Sequence, residues 1–103
     1  MIHVIAIITA KPGQREDVLK LFRANMPAVL AEDGCIEYVP VIDVPGFGGP
    51  QAPLGEDAFM VVEKWASAEA LRAHGAAPHM VAYGKASGPM VASRAIHVLS
   101  PTA

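Results

Sequence analysis

The chain is poor in charged residues and has no cluster of positive charge. Asp, Glu, Lys and Arg make up 17% of its 103 residues, against about 25% in an average soluble domain. Its 8 basic and 10 acidic residues leave a net charge of −2. Because nucleic-acid binding needs concentrated Lys and Arg, these scarcities exclude nucleic acid from the expected partners.

Long apolar segments and paired cysteines are also missing. The longest uninterrupted apolar run near the start, Val4 to Ile8, is far shorter than the roughly 20 residues that span a bilayer. No basic stretch precedes it and no small-residue cleavage site follows it, so a signal peptide is not expected. The single cysteine, Cys35, cannot form an internal disulfide. We therefore expect a cytoplasmic protein that has no membrane partner.

Apolar residues, by contrast, are in excess. They make up 52% of the chain before its 9 glycines are counted. A small domain buries a smaller share of its surface than a large one, and this chain has few charged groups with which to cover its outside. The length allows one domain, residues 1–103, and we expect one of its faces to be buried against a second copy in a homodimer.

The first third of the chain changes from strand to helix periodicity. β-branched residues from Ile2 to Thr9, followed by a Lys-Pro-Gly turn, predict a strand with two apolar faces. From Gln14 onward the period is helical, and Pro27 is expected to kink or divide this helix. The predicted apolar stripe of the helix consists of Val18, Leu21, Phe22, Met26, Val29 and Leu30.

The rest of the chain completes the order β-α-β-β-α-β. This order is that of an α+β, ferredoxin-like split βαβ fold with an antiparallel sheet, its second crossover made of two helical pieces. The segment Asp43–Asp57 contains three prolines and four glycines. So long a loop in a small domain is usually functional or mobile. The remaining predicted elements are strands at Cys35–Ile42, Ala58–Trp65 and Ser93–Leu99, and helices at Ala68–His74 and from Pro78 to about Met90.

A family resemblance is carried by Glu63–His74, which reads EKWASAEALRAH, and by the Ala-Pro-His that ends at His79. Lys11–Gly13 and Glu32–Tyr38 add to it. On these segments the chain resembles the antibiotic biosynthesis monooxygenase (ABM) family of dimeric α+β barrels, which includes small quinol monooxygenases. The resemblance implies a ligand cavity between the sheet and the helices of each subunit. The long loop 43–57 is then a candidate lid or dimer arm, with a disordered insertion as the alternative.

The resemblance implies a monooxygenase that needs no cofactor and oxidises a small quinol or polyphenol with O2. The glycines of 46–49 are not followed by a helix start, so they do not predict a nucleotide-binding loop. A non-catalytic dimer of the same fold that binds a small molecule, or is associated with stress, is the alternative. A haem-degrading relative would need an Asn in the first strand and a His in the last helix, where Ala6 or Ile7 and Gly84 stand.

His79 is the candidate catalytic base. It follows Pro78 at a predicted helix start, where free backbone N–H groups favour an anionic oxygen. A neutral imidazole can take a proton from a phenol near pH 7. Alternatively, Pro78 and His79 only position the helix. His74 is expected to stabilise the C-terminal end of the preceding helix. No metal site is expected, because Gly75 and Pro78 interrupt the helix between the two imidazoles.

Aromatic and polar side chains on neighbouring elements are the candidate substrate-binding residues. A cavity wall made of such side chains suits a planar phenolic ligand, and Glu63 or Asn25 would orient that ligand. Ordinary core packing is the competing interpretation, and for Trp65 it is the favoured one. Asn25 has the further alternative of bonding backbone groups freed near Pro27. The candidates are Phe59, Glu63 and Trp65 on one face of the third strand, Tyr38 on the second strand, Asn25 on the first helix and Tyr83 on the last helix.

Overall fold

The structure, a computed structural model that describes all 103 residues, is a four-stranded sheet with three helices against one face. None of these helices combines the length and the hydropathy that crossing a bilayer requires. The elements are β1 (Ile2–Ala10), α1 (Arg15–Leu30), β2 (Cys35–Val41), β3 (Ala58–Trp65), α2 (Ala68–Ala76), α3 (Pro78–Ser87), a 3-10 turn (Gly88–Met90) and β4 (Val91–Leu99).

The strands lie in the order β2-β3-β1-β4, and every neighbouring pair is antiparallel. The predicted α+β, ferredoxin-like arrangement is therefore confirmed, and the bounds of β3 are those predicted. Two register rows position the site described below. In one row, Val4 of β1 pairs with Glu63 of β3 and Val98 of β4. In the other, Ile8 of β1 pairs with Phe59 of β3 and Arg94 of β4.

The core lies between α1 and the middle of the sheet. Because side chains alternate along a strand, the residues that share a face with Val4 point toward the helices. Phe22 of α1 stacks on Tyr38 with ring centroids 5.1 Å apart, and its edge meets Phe59 at 5.8 Å. The buried core consists of Val4, Ala6, Ala10, Val18, Leu19, Phe22, Val29, Tyr38, Phe59, Val61 and Trp65.

Helix α1 differs from the sequence prediction in its buried face and in the effect of its proline. Its buried face includes Leu19, whereas Leu30, predicted to be buried, lies in the last turn with half of its surface exposed. Pro27 lies inside the helix and does not divide it. A proline near a helix end removes only one intrahelical donor, and the Pro27 carbonyl still accepts the Ala31 N–H at 3.2 Å.

The segment 43–57 contains no helix or strand, and it is held at its base by side chains. The Asp43 carboxylate accepts the backbone N–H groups of Leu54 at 2.9 Å and Gly55 at 3.0 Å. The Arg15 guanidinium donates to the carbonyl of Gly55 at 3.3 Å. None of the residues in the loop lines the cavity between the sheet and helices α2 and α3, so within one chain the loop does not cover that cavity.

Asp43→Ala is expected to loosen this loop without unfolding the sheet. The two N–H donors, Leu54 first, lower the pKa of Asp43 because they stabilise its charged form. Since the folded pKa is depressed, the stabilisation is present above the unfolded value of about 3.9 and is lost as the pH falls through the folded pKa. Hydrogen exchange at the amides of Leu54 and Gly55 should accelerate in the variant. Glu56→Ala, which removes a neighbouring carboxylate that accepts no hydrogen bond, is the control.

Candidate active site

A cavity of about 270 Å³ lies between the sheet and helices α2 and α3. It opens along β4, where Ile96 and Val98 face the helix side of the sheet and yet remain 60% and 58% exposed. A mostly apolar cavity with a few polar groups is the usual form of a small-molecule site. It is lined by Val4, Ala6, Ile8, Phe22, Tyr38, Val61, Glu63, Leu71, His74, Gly75, Met80, Tyr83, Arg94, Ile96 and Val98.

Glu63 is a buried carboxyl in the wall of this cavity. Two residues further along the same face of β3, the indole of Trp65 donates its Nε1–H to Glu63 Oε1 at 2.9 Å. Burial raises the pKa of Glu63, and the hydrogen bond from Trp65 and the nearby His74 oppose that rise. Trp65 therefore holds one oxygen of a carboxyl whose other oxygen is free for a ligand.

Helix α2 brings His74 to the same end of the cavity. The helix begins at Ser67, whose hydroxyl accepts the Ala70 N–H at 3.1 Å, and it ends before Ala77 because the residue preceding Pro78 is restricted to extended backbone. The His74 ring lies against Trp65, with centroids 4.6 Å apart. Packing therefore fixes the orientation of this imidazole.

Two histidines share one oxygen of Glu32, which lies in the turn between α1 and β2. Nδ1 of His74 is 2.8 Å from Glu32 Oε2, and Nε2 of His79 is 2.9 Å from the same atom. Because a carboxylate oxygen accepts hydrogen bonds, each imidazole carries a proton on the nitrogen that faces Glu32. The side chains of His74 and Glu32 are only 8% and 14% exposed, so solvent screens this pair much less than a surface ion pair.

The second nitrogen of His74 reaches the cavity. Nε2 has no hydrogen-bond partner in the chain, yet no buried side-chain nitrogen or oxygen lacks one, so this atom must have access to open space. The open space that His74 lines is the cavity. With the proton held on Nδ1 by Glu32, Nε2 carries a lone pair that can accept a proton from a bound hydroxyl.

Two tyrosines add hydroxyl groups to the cavity wall. Tyr38 lies beside Glu63 in the sheet register, and burial is the main cause that raises its pKa. Burial also raises the pKa of Tyr83, and a hydrogen bond with Ser87 and then the charge of Arg94 oppose that rise. Both phenols therefore stay protonated at neutral pH and can donate hydrogen bonds to a ligand oxygen.

The structure divides the predicted site residues into three groups. Tyr38, Glu63 and Tyr83 line the cavity. Phe59 and Trp65 are fully buried and do not line it, so both pack in the core, which is the interpretation favoured for Trp65 and the alternative for Phe59. The remaining two, His79 and Asn25, lie in a separate shallow groove between α1 and α3.

The contacts of His79 and Asn25 in this groove also differ from the sequence prediction. His79 reaches the cavity only indirectly, through Glu32 and His74. Asn25 donates to the sulfur of Met80 at 3.3 Å rather than pointing into the cavity. The residues that sequence reasoning missed are Glu32, which was assigned to a helix stop, His74, which was assigned to a helix end, and Arg94.

No set of three His, Cys, Asp or Glu side chains is arranged to hold a metal ion. Each of the two histidines contacts Glu32 directly, so the three side chains do not surround an open point. Cys35 lies nearby as a free thiol, and burial, together with the charges of Glu32 and Glu63, raises its pKa. The thiol is therefore not activated as a nucleophile.

Glu63→Gln is expected to stabilise the fold at neutral pH, because the amide oxygen can still accept the Trp65 N–H and no buried charge remains. A carboxyl whose folded pKa is raised binds its proton more tightly in the folded state. Its ionisation therefore destabilises the fold as the pH rises above the unfolded value of about 4.3. Thermal unfolding should give the variant the higher Tm at pH 7, with the difference closing toward pH 4. A wild-type protein that is the more stable of the two at pH 7 would contradict this.

The sequence of the chain matches a known protein family along most of its length. Residues 1–86 match the family described as Antibiotic biosynthesis monooxygenase. The chain is 38% identical over 103 residues to the Escherichia coli K12 protein named "Probable quinol monooxygenase YgiN", with 98% of each chain covered.

Solved structures agree with this match. PA3566 from Pseudomonas aeruginosa superposes with a TM-score of 0.82 at 25% identity, covering 99% of this chain and 94% of that one. Rv0793 from Mycobacterium tuberculosis superposes with a TM-score of 0.80 at 26% identity, covering 99% and 95%. Sequence and fold thus agree over nearly the whole length. The chain belongs to the antibiotic biosynthesis monooxygenase family.

Proposed function

We propose that this protein is a monooxygenase that oxidises a small quinol or related polyphenol with O2 and needs no bound cofactor. The observation that carries the proposal is the apolar cavity with a tethered imidazole lone pair, His74 Nε2, beside the carboxyl of Glu63 and the phenol of Tyr38. The name of the Escherichia coli relative supports the quinol as substrate class.

The chemistry asked of the protein is modest, because a quinolate is already electron-rich. A quinol and O2 yield a hydroxyquinone and water: one oxygen atom enters the ring, the other leaves as water, and the quinol supplies all the electrons. The ring O–H bond must break first, since the anion transfers an electron to O2 more readily than the neutral quinol. A base that takes this proton and later returns it to the departing oxygen leaves the overall proton balance at zero.

His74 fits the role of that base. When Nε2 takes the proton, the imidazolium that forms is paired with Glu32 through Nδ1, so its charge is compensated within the protein. Tyr38 can donate to the quinolate oxygen, and the free oxygen of Glu63 can accept from the second ring hydroxyl. The apolar remainder of the cavity excludes water from the reacting ring. His79, the base proposed from the sequence, then acts on His74 through Glu32 and does not touch the substrate.

The test is oxygen consumption by the purified protein with a panel of quinols, corrected for autoxidation, together with mass spectrometry of the product formed under ¹⁸O₂. The proposal expects uptake in proportion to protein and one ¹⁸O atom in the product. Hydrogen peroxide with no labelled product would indicate an oxidase instead. Saturable binding of the same quinols without any uptake would favour a non-catalytic binding protein.

We also propose that the protein is a homodimer formed through the sheet face that the helices leave uncovered. That face carries the apolar side chains of Ile5, Ile7, Met60 and Val62, and none of these is fully buried in the single chain. A sheet that is apolar on both faces needs a second layer, and a twin sheet can provide it.

Ile7→Lys is expected to turn such a dimer into a monomer of 10.8 kDa, because a charge would be placed in the middle of the apolar interface. Light scattering after gel filtration measures the mass. Leu30→Lys makes the same change on an exposed position of α1 and should leave the dimer intact. A wild-type mass of 10.8 kDa would contradict the dimer.

A further inference from the structure

Arg94 places a permanent positive charge at one end of the cavity. In the sheet register it lies beside Ile8, whereas Glu63 lies beside Val4, four residues away along β1. At roughly 3.3 Å per residue, the two positions are about 13 Å apart along the strand direction. The side chains share one face of the sheet, and both line the same cavity.

Arg94 is exposed at the mouth of the cavity, and its guanidinium has no partner in its own chain. Arg23 pairs with Glu16 at 3.1 Å, and Arg15 donates to the Gly55 and Ala58 carbonyls. Arg94 forms no ion pair and no hydrogen bond, although its charge is close enough to oppose in part the rise that burial causes in the pKa of Tyr83. An arginine is always charged and presents a planar fork that matches a carboxylate.

The opposite end of the cavity has the opposite character. Glu63 lies in its wall, and Glu32 stands directly behind His74. A ligand carboxylate at that end would meet like charge and lose its hydration, which is costly in a low-dielectric site. A ligand with two different ends would therefore enter in one orientation, with its phenol toward Glu63 and its anion toward Arg94.

We propose that the cavity takes an elongated aromatic phenol or quinol that carries a carboxylate at the end remote from the reacting hydroxyl, and that Arg94 binds this carboxylate. The reaction of such a ligand rests on the proposed function, but its recognition by Arg94 does not. A two-ring aromatic acid has the right form, because its apolar body fills the middle of the cavity between the two polar ends.

Calorimetry with a matched pair of ligands that are not quinols tests recognition alone. The wild-type protein should bind 6-hydroxy-2-naphthoate about 10- to 100-fold more tightly than 2-naphthol, since a bidentate hydrogen bond to a charged group distinguishes the two ligands. Arg94→Met should abolish this preference, and Arg94→Lys should restore part of it. Arg72→Met, which removes an exposed cation of α2 that does not line the cavity, should leave the preference unchanged.

A wild-type protein that does not prefer the naphthoate, or a preference that survives Arg94→Met, overturns the proposal. Oxygen uptake with 1,4-dihydroxynaphthalene and its 6-carboxylate separates the two proposals. A preference that depends on Arg94 without oxidation of either quinol would refute the monooxygenase and leave the role of Arg94 standing. Equal oxidation of both quinols by the wild type and by Arg94→Met would support the monooxygenase and refute the role of Arg94.

Discussion

His74→Ala is expected to lower the turnover of quinol by about 100- to 10,000-fold, the usual contribution of a general base. The imidazole is the one base whose free nitrogen opens into the cavity, and its other nitrogen is held 2.8 Å from Glu32. The measurement is kcat by oxygen uptake.

The matched comparison is His79→Ala. Both histidines bond to the same oxygen of Glu32, but only His74 lines the cavity, so His79→Ala should reduce kcat much less. Because His74 packs against Trp65, near-ultraviolet circular dichroism must show that His74→Ala is folded, and His74→Gln provides a variant of closer volume. If His79→Ala abolishes turnover and His74→Ala does not, the base is the residue expected from sequence.

Gly34→Ala is expected to destabilise the protein by roughly 2–5 kcal/mol, the sum of about 1–2 for left-handed backbone and about 1–3 for overpacking. Gly34 has φ of +83°, and a Cβ atom there would lie 2.6 Å from the Cβ of Ala70 on α2. The turn that contains Gly34 also carries Glu32, so turnover should fall with stability. Chemical denaturation measures the free energy of unfolding.

The chain contains a matched control for this prediction. Gly13 has a similar φ of +77° with open space around it, so Gly13→Ala has only the backbone cost. Removing the methyl group in Gly34→Ala/Ala70→Gly should recover the steric part, and a double-mutant cycle isolates that coupling. Equal losses in Gly34→Ala and Gly13→Ala would show that contact with α2 contributes nothing.

The fold was largely predictable because its elements are encoded locally. Alternation of β-branched residues marks β1 and β3, Ser67 begins α2, and Pro78 separates α2 from α3. Errors occurred where local signals compete with packing. Leu30 has the composition of a core residue, but the geometry of the last turn of α1 turns it outward. Pro27 predicts a kink or break in the helix, but near the end of a helix a proline removes only one hydrogen bond.

The candidate site was less predictable. The sequence identified Tyr38, Glu63 and Tyr83, which the structure places around one cavity. It left Phe59 and Trp65 between cavity wall and core, with core favoured for Trp65, and both are buried core. An aromatic residue on a strand has the same sequence pattern whether it lies in the core or in the cavity wall. Only the distance from the sheet to the helices decides whether its ring contacts another side chain or open space.

By itself, the sequence determined the order of strands and helices, the antiparallel ferredoxin-like topology and the family, because periodicity, turn residues and a contiguous motif are properties of neighbouring residues. Only the tertiary structure decided that Glu32 joins His74 and His79, 42 and 47 residues away. It also decided that Arg94 faces the cavity from the edge strand. Both depend on how α2 is placed over the sheet and on strand register, and contacts across such distances in the chain leave no periodic trace in the sequence.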